Sequence, residues 1–347
     1  MHVRKATAFT DEEIKYLATF PLITFEKSTG HKDFGGTEVG SVKAATAVKA
    51  INPRSKILYY RNIIVHYGGY VANEQLEAIP NAFLANDDGG EDLVRGKVRA
   101  YDLSNPEVES WWMNHAKQAC ASPVIDGLFI DGNIKVIADG YLRREIGAEK
   151  KAAVQSAYHR MMRALPDLIG RDSLILSNII RARLENSGLT ELEYFDGSYL
   201  EGFEHPVGKI SREDYVAKGI AAMQTAARSG KIIAFTMGMG EEQESEMGID
   251  ETRAAIDDIA SIQDRFTYAL AIFLICAEEY SYFMASDGYS VNPGGSKLWM
   301  QDIPEYSRRL GRPLGPAQNR GYIYIRQFEH LRVWLDIENQ RAELVWQ

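Results

Sequence analysis

The sequence predicts an α/β fold: a (β/α)8 TIM barrel followed by a small C-terminal antiparallel β meander. Three patterns carry this expectation. Eight short runs rich in β-branched and aromatic residues recur along the 347 residues, stretches of helical periodicity separate most of them, and beyond residue 315 the texture changes to period-two alternation. Parallel strands covered on both faces read as near-continuous apolar runs, and eight of them in this length most economically close into a barrel. The barrel is expected over residues 1–315 and the β-rich appendage over 316–347.

In chain order the runs are LITFEK (22–27), KILYYRN (56–62), KVRAYDLS (97–104), GLFIDGN (127–133), SLILSN (173–178), GSYLEGF (197–203), KIIAFTMG (231–238) and YSYFMASDG (280–288). The segment NAFLANDDGG (81–90) competes with 97–104 for the third place. Helices are expected over 37–50, 148–165, 211–228 and 250–277. The clearest helix starts at Ser104, where Ser104 and Glu107 have capping-box spacing and Pro106 suits the first turn. Val108, Trp111, Trp112, His115, Ala116 and Ala119 then repeat at helical spacing, which makes the Trp pair core. In the tail, GYIYIRQF, LRVWLDI and AELVW alternate between short polar turns. A doubly wound open sheet is the rival fold, but it usually carries a Gly-rich phosphate loop after its first strand, and FEKSTGHKDFGG is not one.

Composition narrows the function. With 45% hydrophobic and 25% charged residues the chain is an ordinary globular one. A net charge of −9 and the lack of a clustered basic run argue against a nucleic-acid partner. Cys120 and Cys276 lie inside apolar helical patterns and read as buried thiols. The histidines lack H-x-x-x-H spacing, so no metal site and no other cofactor is expected. The longest apolar run, 266–277, falls short of the roughly 20 residues of a membrane span. MHVRKATAFTDEE lacks a signal-peptide core, so the chain as it stands reads as cytoplasmic, or as secreted or periplasmic if a leader was trimmed.

Barrel enzymes place their chemistry at the carboxyl ends of the strands. Here those positions hold Glu26, Lys27, Arg61, Asn62, Asp102, Asp131, Asn133, Asn178, Glu201, Met237 and Asp287, with Tyr59, Tyr60, Tyr67, Tyr70, Tyr199 and Phe203 on or beside them. Carboxylates and amides match vicinal hydroxyls, and aromatic rings cover the apolar face of a sugar, so a carbohydrate is the expected partner. Glycoside cleavage takes two carboxyl groups. Asp131, at the exit of DGLFIDGN, is the expected nucleophile or base and Glu201 the expected acid. Glu26, Tyr59, Arg61, Asn62, His66, Asn178, Tyr199 and Asp287 are the expected substrate-binding residues. The first Asp-Gly pair, Asp126-Gly127, reads as a simple turn, and Glu26 with Lys27 reads more readily as an ion pair at the barrel mouth than as a functional group.

DGLFIDGN resembles the fourth-strand segment of TIM-barrel glycoside hydrolases of the dextranase-like and α-galactosidase-like groups, in which an Asp follows an apolar strand opened by Asp-Gly. YDLSNPEVESWW resembles the D-x-x-N-P-x-V segment one unit earlier, and YIYIRQFEHLRVWLDI resembles the β-rich tail of uncharacterised glycoside hydrolase-like families. The resemblance implies that Asp131 is the nucleophile and that a carboxylate after strand 6, here Glu201, is the acid. The chain departs from the pattern in having Glu201 where α-galactosidases have Asp, and Glu329-His330 where the tail turn is usually Asn-Gly. Two alternatives stay open at this level. One is a polysaccharide lyase, with Asn178 or Arg61 neutralising a uronate carboxylate and Tyr199 or His66 moving the proton. The other is a non-catalytic glycan-binding barrel.

Overall fold

The computed structural model describes residues 1–206, 209–238, 259–286, 300 and 303–347. Among these, the chain divides between Asn178 and Ile179 into two compact units. The first holds parallel strands β1 (His2–Val3), β2 (Leu22–Phe25), β3 (Lys56–Asn62), β4 (Gly127–Asp131) and β5 (Leu174–Ser177), hydrogen-bonded in that order. Its helices are α1 (Asp11–Leu17), α2 (His31–Phe34), α3 (Thr37–Ile51), α4 (Asn73–Glu77), α5 (Pro106–Cys120), α6 (Asn133–Ile137) and α7 (Arg143–Ile169). The second unit holds parallel strands β6 (Gly197–Leu200), β7 (Ile232–Gly238) and β8 (Ser281–Ser286), with α8 (Arg212–Arg228) and α9 (Ile259–Cys276). It ends in an antiparallel sheet ordered β12-β11-β10-β9, from Gln318–Arg320, Ile323–Gln327, Leu331–Asp336 and Arg341–Trp346 in chain order. The class is mixed α/β, eight parallel strands and then an antiparallel sheet.

Two sequence expectations need correction. Residues 97–104 are not a strand: they lie in the long connection 63–105 between β3 and α5, where the backbone forms isolated bridges such as Val65 to Ala100 and Phe83 to Tyr101. Their apolar residues face a local aromatic cluster, with the Tyr101 ring 5.3 Å from that of Trp111. The remaining parallel strand is instead β1, whose two residues pair with Thr24 and Phe25. The cap of α5 also differs. Asn105, not Ser104, accepts the N–H of Glu107 at 3.0 Å, while Ser104 hydrogen-bonds Asp102. Asp102 in turn pairs with Lys150 of α7 at 2.9 Å.

The strand ends are fixed by close contacts. A Cβ on Gly127 would lie 1.9 Å from the Leu174 carbonyl oxygen, so only glycine lets β4 and β5 approach. Asp126 does more than turn the chain: its carboxylate accepts the Ile57 N–H at 2.8 Å and pairs with Lys49 at 2.6 Å and Lys56 at 3.2 Å, tying the start of β4 to β3 and α3. Trp112 is fully buried and donates its indole N–H to the Asn62 carbonyl at 2.9 Å, so the core of α5 also holds the exit of β3. In the tail sheet Tyr324, Arg326, Leu331, Val333 and Leu335 are buried, and β10, β11 and β12 pack on α9. Among the described residues no helix is long and apolar enough to cross a membrane.

Candidate active site

Strand alternation and register build the centre of the first unit. Successive side chains on a strand point to opposite faces, so Tyr60 and Asn62 share one face of β3 while Tyr59 and Arg61 share the other. Register pairs Asn62 with Asp131 on β4. Tyr60 Oη donates to Asp131 Oδ2 at 2.7 Å, and Asn62 Nδ2 donates to the same oxygen at 3.2 Å. From the end of β5, Asn178 Nδ2 donates to Oδ1 at 3.3 Å. Three neutral donors on adjacent strands thus clasp one half-buried carboxylate. Tyr60 stays a donor, because burial and the Asp131 charge push its phenol well above the ordinary tyrosine range.

The residue after Asp131 makes this clasp possible. Gly132 has φ +83°, and a Cβ there would lie 2.4 Å from Asn62 Oδ1. That oxygen is engaged: it accepts the backbone N–H groups of Ile64 at 3.0 Å and Val65 at 2.7 Å, which orients the Asn62 amide with its nitrogen toward Asp131.

A charged group lies beside the clasp. The buried Glu26 carboxylate meets the Lys27 ammonium at 3.0 Å and His2 Nδ1 at 3.6 Å. Burial works to raise the Glu26 carboxyl, but Lys27, His2 and Arg4 overcome it and hold the group far below the usual carboxylate range. Burial likewise opposes the charge on Lys27, and Glu26 outweighs it, with Tyr67 and Asp131 adding smaller attraction. The ammonium sits 5.1 Å and 5.0 Å from the ring centroids of Tyr60 and Tyr67. The ion-pair reading of Glu26 and Lys27 describes their contacts, and the pair lies within electrostatic reach of Asp131.

The other expected site residues are placed as follows. Arg61 is buried on the opposite face of β3, its guanidinium 4.9 Å from the Tyr70 ring and 4.7 Å from that of Trp111, and Tyr59 packs there against Tyr70 at 6.4 Å. His66 lies in the 63–105 connection, 3.4 Å from Arg99 and 3.7 Å from Glu77; burial, and then Arg99, push its imidazole down to about 4. In the second unit Tyr199 is buried on β6, and Glu201 follows that strand in a 3.0 Å ion pair with Arg181. Asp287 lies outside the described residues. The sequence reading did not single out Tyr60 as a partner of Asp131, nor Arg181. Parity with Asn62 on β3 was the available signal for Tyr60; Arg181 had none. Among the described residues no group of three or more His, Cys, Asp and Glu side chains could hold a metal ion.

The centre of the first unit is thus a carboxylate presented at the exit of a buried parallel strand and clasped by a phenol and two amides. Residues 49–332 match the model of hypothetical glycosyl hydrolase family 15, and the chain belongs to that family. No curated protein matches the sequence. Similar solved structures include a variant GH36 α-galactosidase from Geobacillus stearothermophilus in complex with 1-deoxygalactonojirimycin, with 12% identity, a TM-score of 0.53 and coverage of 96% of this chain and 47% of that one. An α-amylase from Geobacillus thermoleovorans complexed with acarbose aligns at 11% identity and TM-score 0.50, over 95% of this chain and 81% of that one. A xylosidase from Aspergillus niger aligns at 16% identity and TM-score 0.49, over 87% and 45%. The chain thus spans less than half of the xylosidase and of the galactosidase, and at these identities the likeness is one of fold.

Proposed function

We propose that this protein is a glycoside hydrolase built on a closed (β/α)8 barrel and acting on an oligo- or polysaccharide with two carboxyl groups. Asp131 is the nucleophile, or the base that activates water, and Glu201 is the acid that protonates the departing glycosidic oxygen. The observation that carries the reading is the clasp on Asp131: Tyr60, Asn62 and Asn178 donate to both of its oxygens and fix their positions. Membership in a glycosyl hydrolase family and the fold of the α-galactosidase and α-amylase neighbours support it. In this reading Arg181 orients Glu201, and Asn178 and Asp287 bind sugar hydroxyls. Glu26, on the side of β2 that faces His2, is the further binding residue closest in character to the centre. Tyr59 and Arg61 act from behind β3, by packing. β-Elimination is not favoured, since hydrolysis is what the family's name and the neighbours share.

The test is a glycan panel read for new reducing ends and for the ultraviolet absorbance of an unsaturated product. The expected result is reducing ends without that absorbance, with Asp131→Asn and Glu201→Gln each lowering the rate by about 10²–10⁴-fold. Wild-type rates in both variants would overturn the assignment, and an unsaturated product would replace hydrolysis by elimination.

A further inference from the structure

The turn that presents Asp131 is held from behind by one face of α7. After Asp131 and Gly132 the chain enters the single-turn helix α6, too short to be stable by itself. Its first residue, Asn133, is fully buried and spans the turn: Nδ2 donates to the Ile130 carbonyl at 2.6 Å, and Oδ1 accepts the Tyr158 hydroxyl at 2.9 Å. Two further side chains of α7 reach the far end of α6. Lys151 Nζ donates to the carbonyls of Lys135 at 3.0 Å and Val136 at 2.6 Å, and Gln155 Nε2 donates to Ile137 at 3.1 Å. Residues 151, 155 and 158 are spaced four and three apart, which places them on one face of the helix. Lys151 is 3% exposed and its ammonium is spent on carbonyls; burial pulls it down to about 8. Such a group is costly to bury unless its bonds are needed where they are.

We infer that Tyr158 and Lys151 are positioning residues for catalysis: through Asn133 and the α6 carbonyls they hold the 131–133 turn, and thereby fix the direction in which Asp131 leaves β4. They act through the backbone of the turn, while the Asp131 carboxylate itself is held by Tyr60, Asn62 and Asn178. The inference rests on Asp131 being the working carboxylate. It predicts that loosening α7's grip changes turnover more than substrate affinity, because a displacement near 1 Å at the reacting atom lowers the rate about 100-fold while leaving the binding surface in place.

The experiment compares full-length wild type, Tyr158→Phe, Lys151→Met, Lys151→Arg and Asp131→Asn on the panel glycan that the wild type cleaves, with hydrogen exchange of the 127–140 segment measured alongside. Tyr158→Phe and Lys151→Met are expected to speed exchange at 132–138 and to lower kcat about 10-fold with KM within twofold, and Lys151→Arg to restore most of the loss. Faster exchange with unchanged kcat, in a protein that Asp131→Asn inactivates, overturns the positioning role and leaves the proposed function standing. Full activity in Asp131→Asn overturns both. If Lys151→Met does not fold, Tyr158→Phe, which removes a single oxygen, decides the question.

Discussion

Tyr60 donates its phenolic proton to Asp131 Oδ2 at 2.7 Å across two neighbouring parallel strands, and both residues belong to the face that also carries Asn62. A hydrogen bond to a charged group contributes about 1.5–3 kcal/mol, and 1.4 kcal/mol is about tenfold in rate. Tyr60→Phe keeps the buried ring and removes only the donor. The expected outcome is a fall in kcat of about 10- to 100-fold with KM nearly unchanged and the thermal midpoint within a few degrees. A fall in stability without a fall in kcat would show the bond to be structural.

Gly132→Ala tests the same clasp from the backbone. At φ +83° an L-residue is strained, and the added methyl would also enter the space of Asn62 Oδ1. Displacing that amide frees the N–H groups of Ile64 and Val65 and removes one donor from Asp131. The expected cost is about 1–3 kcal/mol of stability, read from the urea midpoint, together with a loss of turnover as large as that in Tyr60→Phe.

These two residues mark what the sequence made legible. Asp131 stood out because an apolar run ends on it, and Gly132 because an Asp-Gly pair follows; both signals are local. Tyr59, Arg61 and Asn62 were picked out by nearness to a strand end, which mixes the two faces of β3, whereas Tyr60 needed the register with β4 to be recognised as the partner. The run 97–104 imitated a strand because it packs on aromatic rings without a neighbouring strand to pair with. β1 escaped notice because two residues are too few to carry a period. Glu201 was legible as a strand-exit carboxylate, and its Arg181 partner was not, since nothing local distinguishes an arginine in a loop.

Stability is expected to fall on mild acidification through two histidines. Burial first, and then Arg99 for His66 and Arg61 for His115, push both imidazoles down to about 4. The unfolded chain takes up these protons near pH 6.5, the folded one only near pH 4, so between those values the unfolded state binds more protons and stability drops as pH falls. Glu26 acts below it: its depressed carboxyl stabilises the fold above its ordinary value of 4.5, and that contribution is lost as pH falls further. The double variant His66→Gln, His115→Gln should therefore flatten urea midpoints between pH 6.5 and 4 while keeping the steep loss beneath. An unchanged slope between pH 6.5 and 4 would mean the imidazoles already titrate normally in the folded state.

The tail sheet is expected to be inseparable from the helix it covers. Arg326 is 3% exposed, and its Nη1 donates to the carbonyls of Leu274, Ile275 and Ala277 at 3.1, 3.3 and 2.7 Å, while Nη2 meets Glu278 at 2.7 Å. These are the carbonyls a helix C-terminus leaves without intrahelical partners, so one guanidinium caps α9 from β10. The planar fork reaches several acceptors at once, and an ammonium on a single stem does not. Arg326→Lys should therefore cost about 1–3 kcal/mol and Arg326→Ala about 3–5 kcal/mol, since the latter strands buried carbonyls and Glu278. Removing 316–347 would in addition expose the apolar side of α9 that β10, β11 and β12 cover. The truncated chain should aggregate or lose its cooperative unfolding transition. A soluble 1–315 fragment that melts at the temperature of the full chain would show the sheet to be an independent appendage, and Arg326 a local cap only.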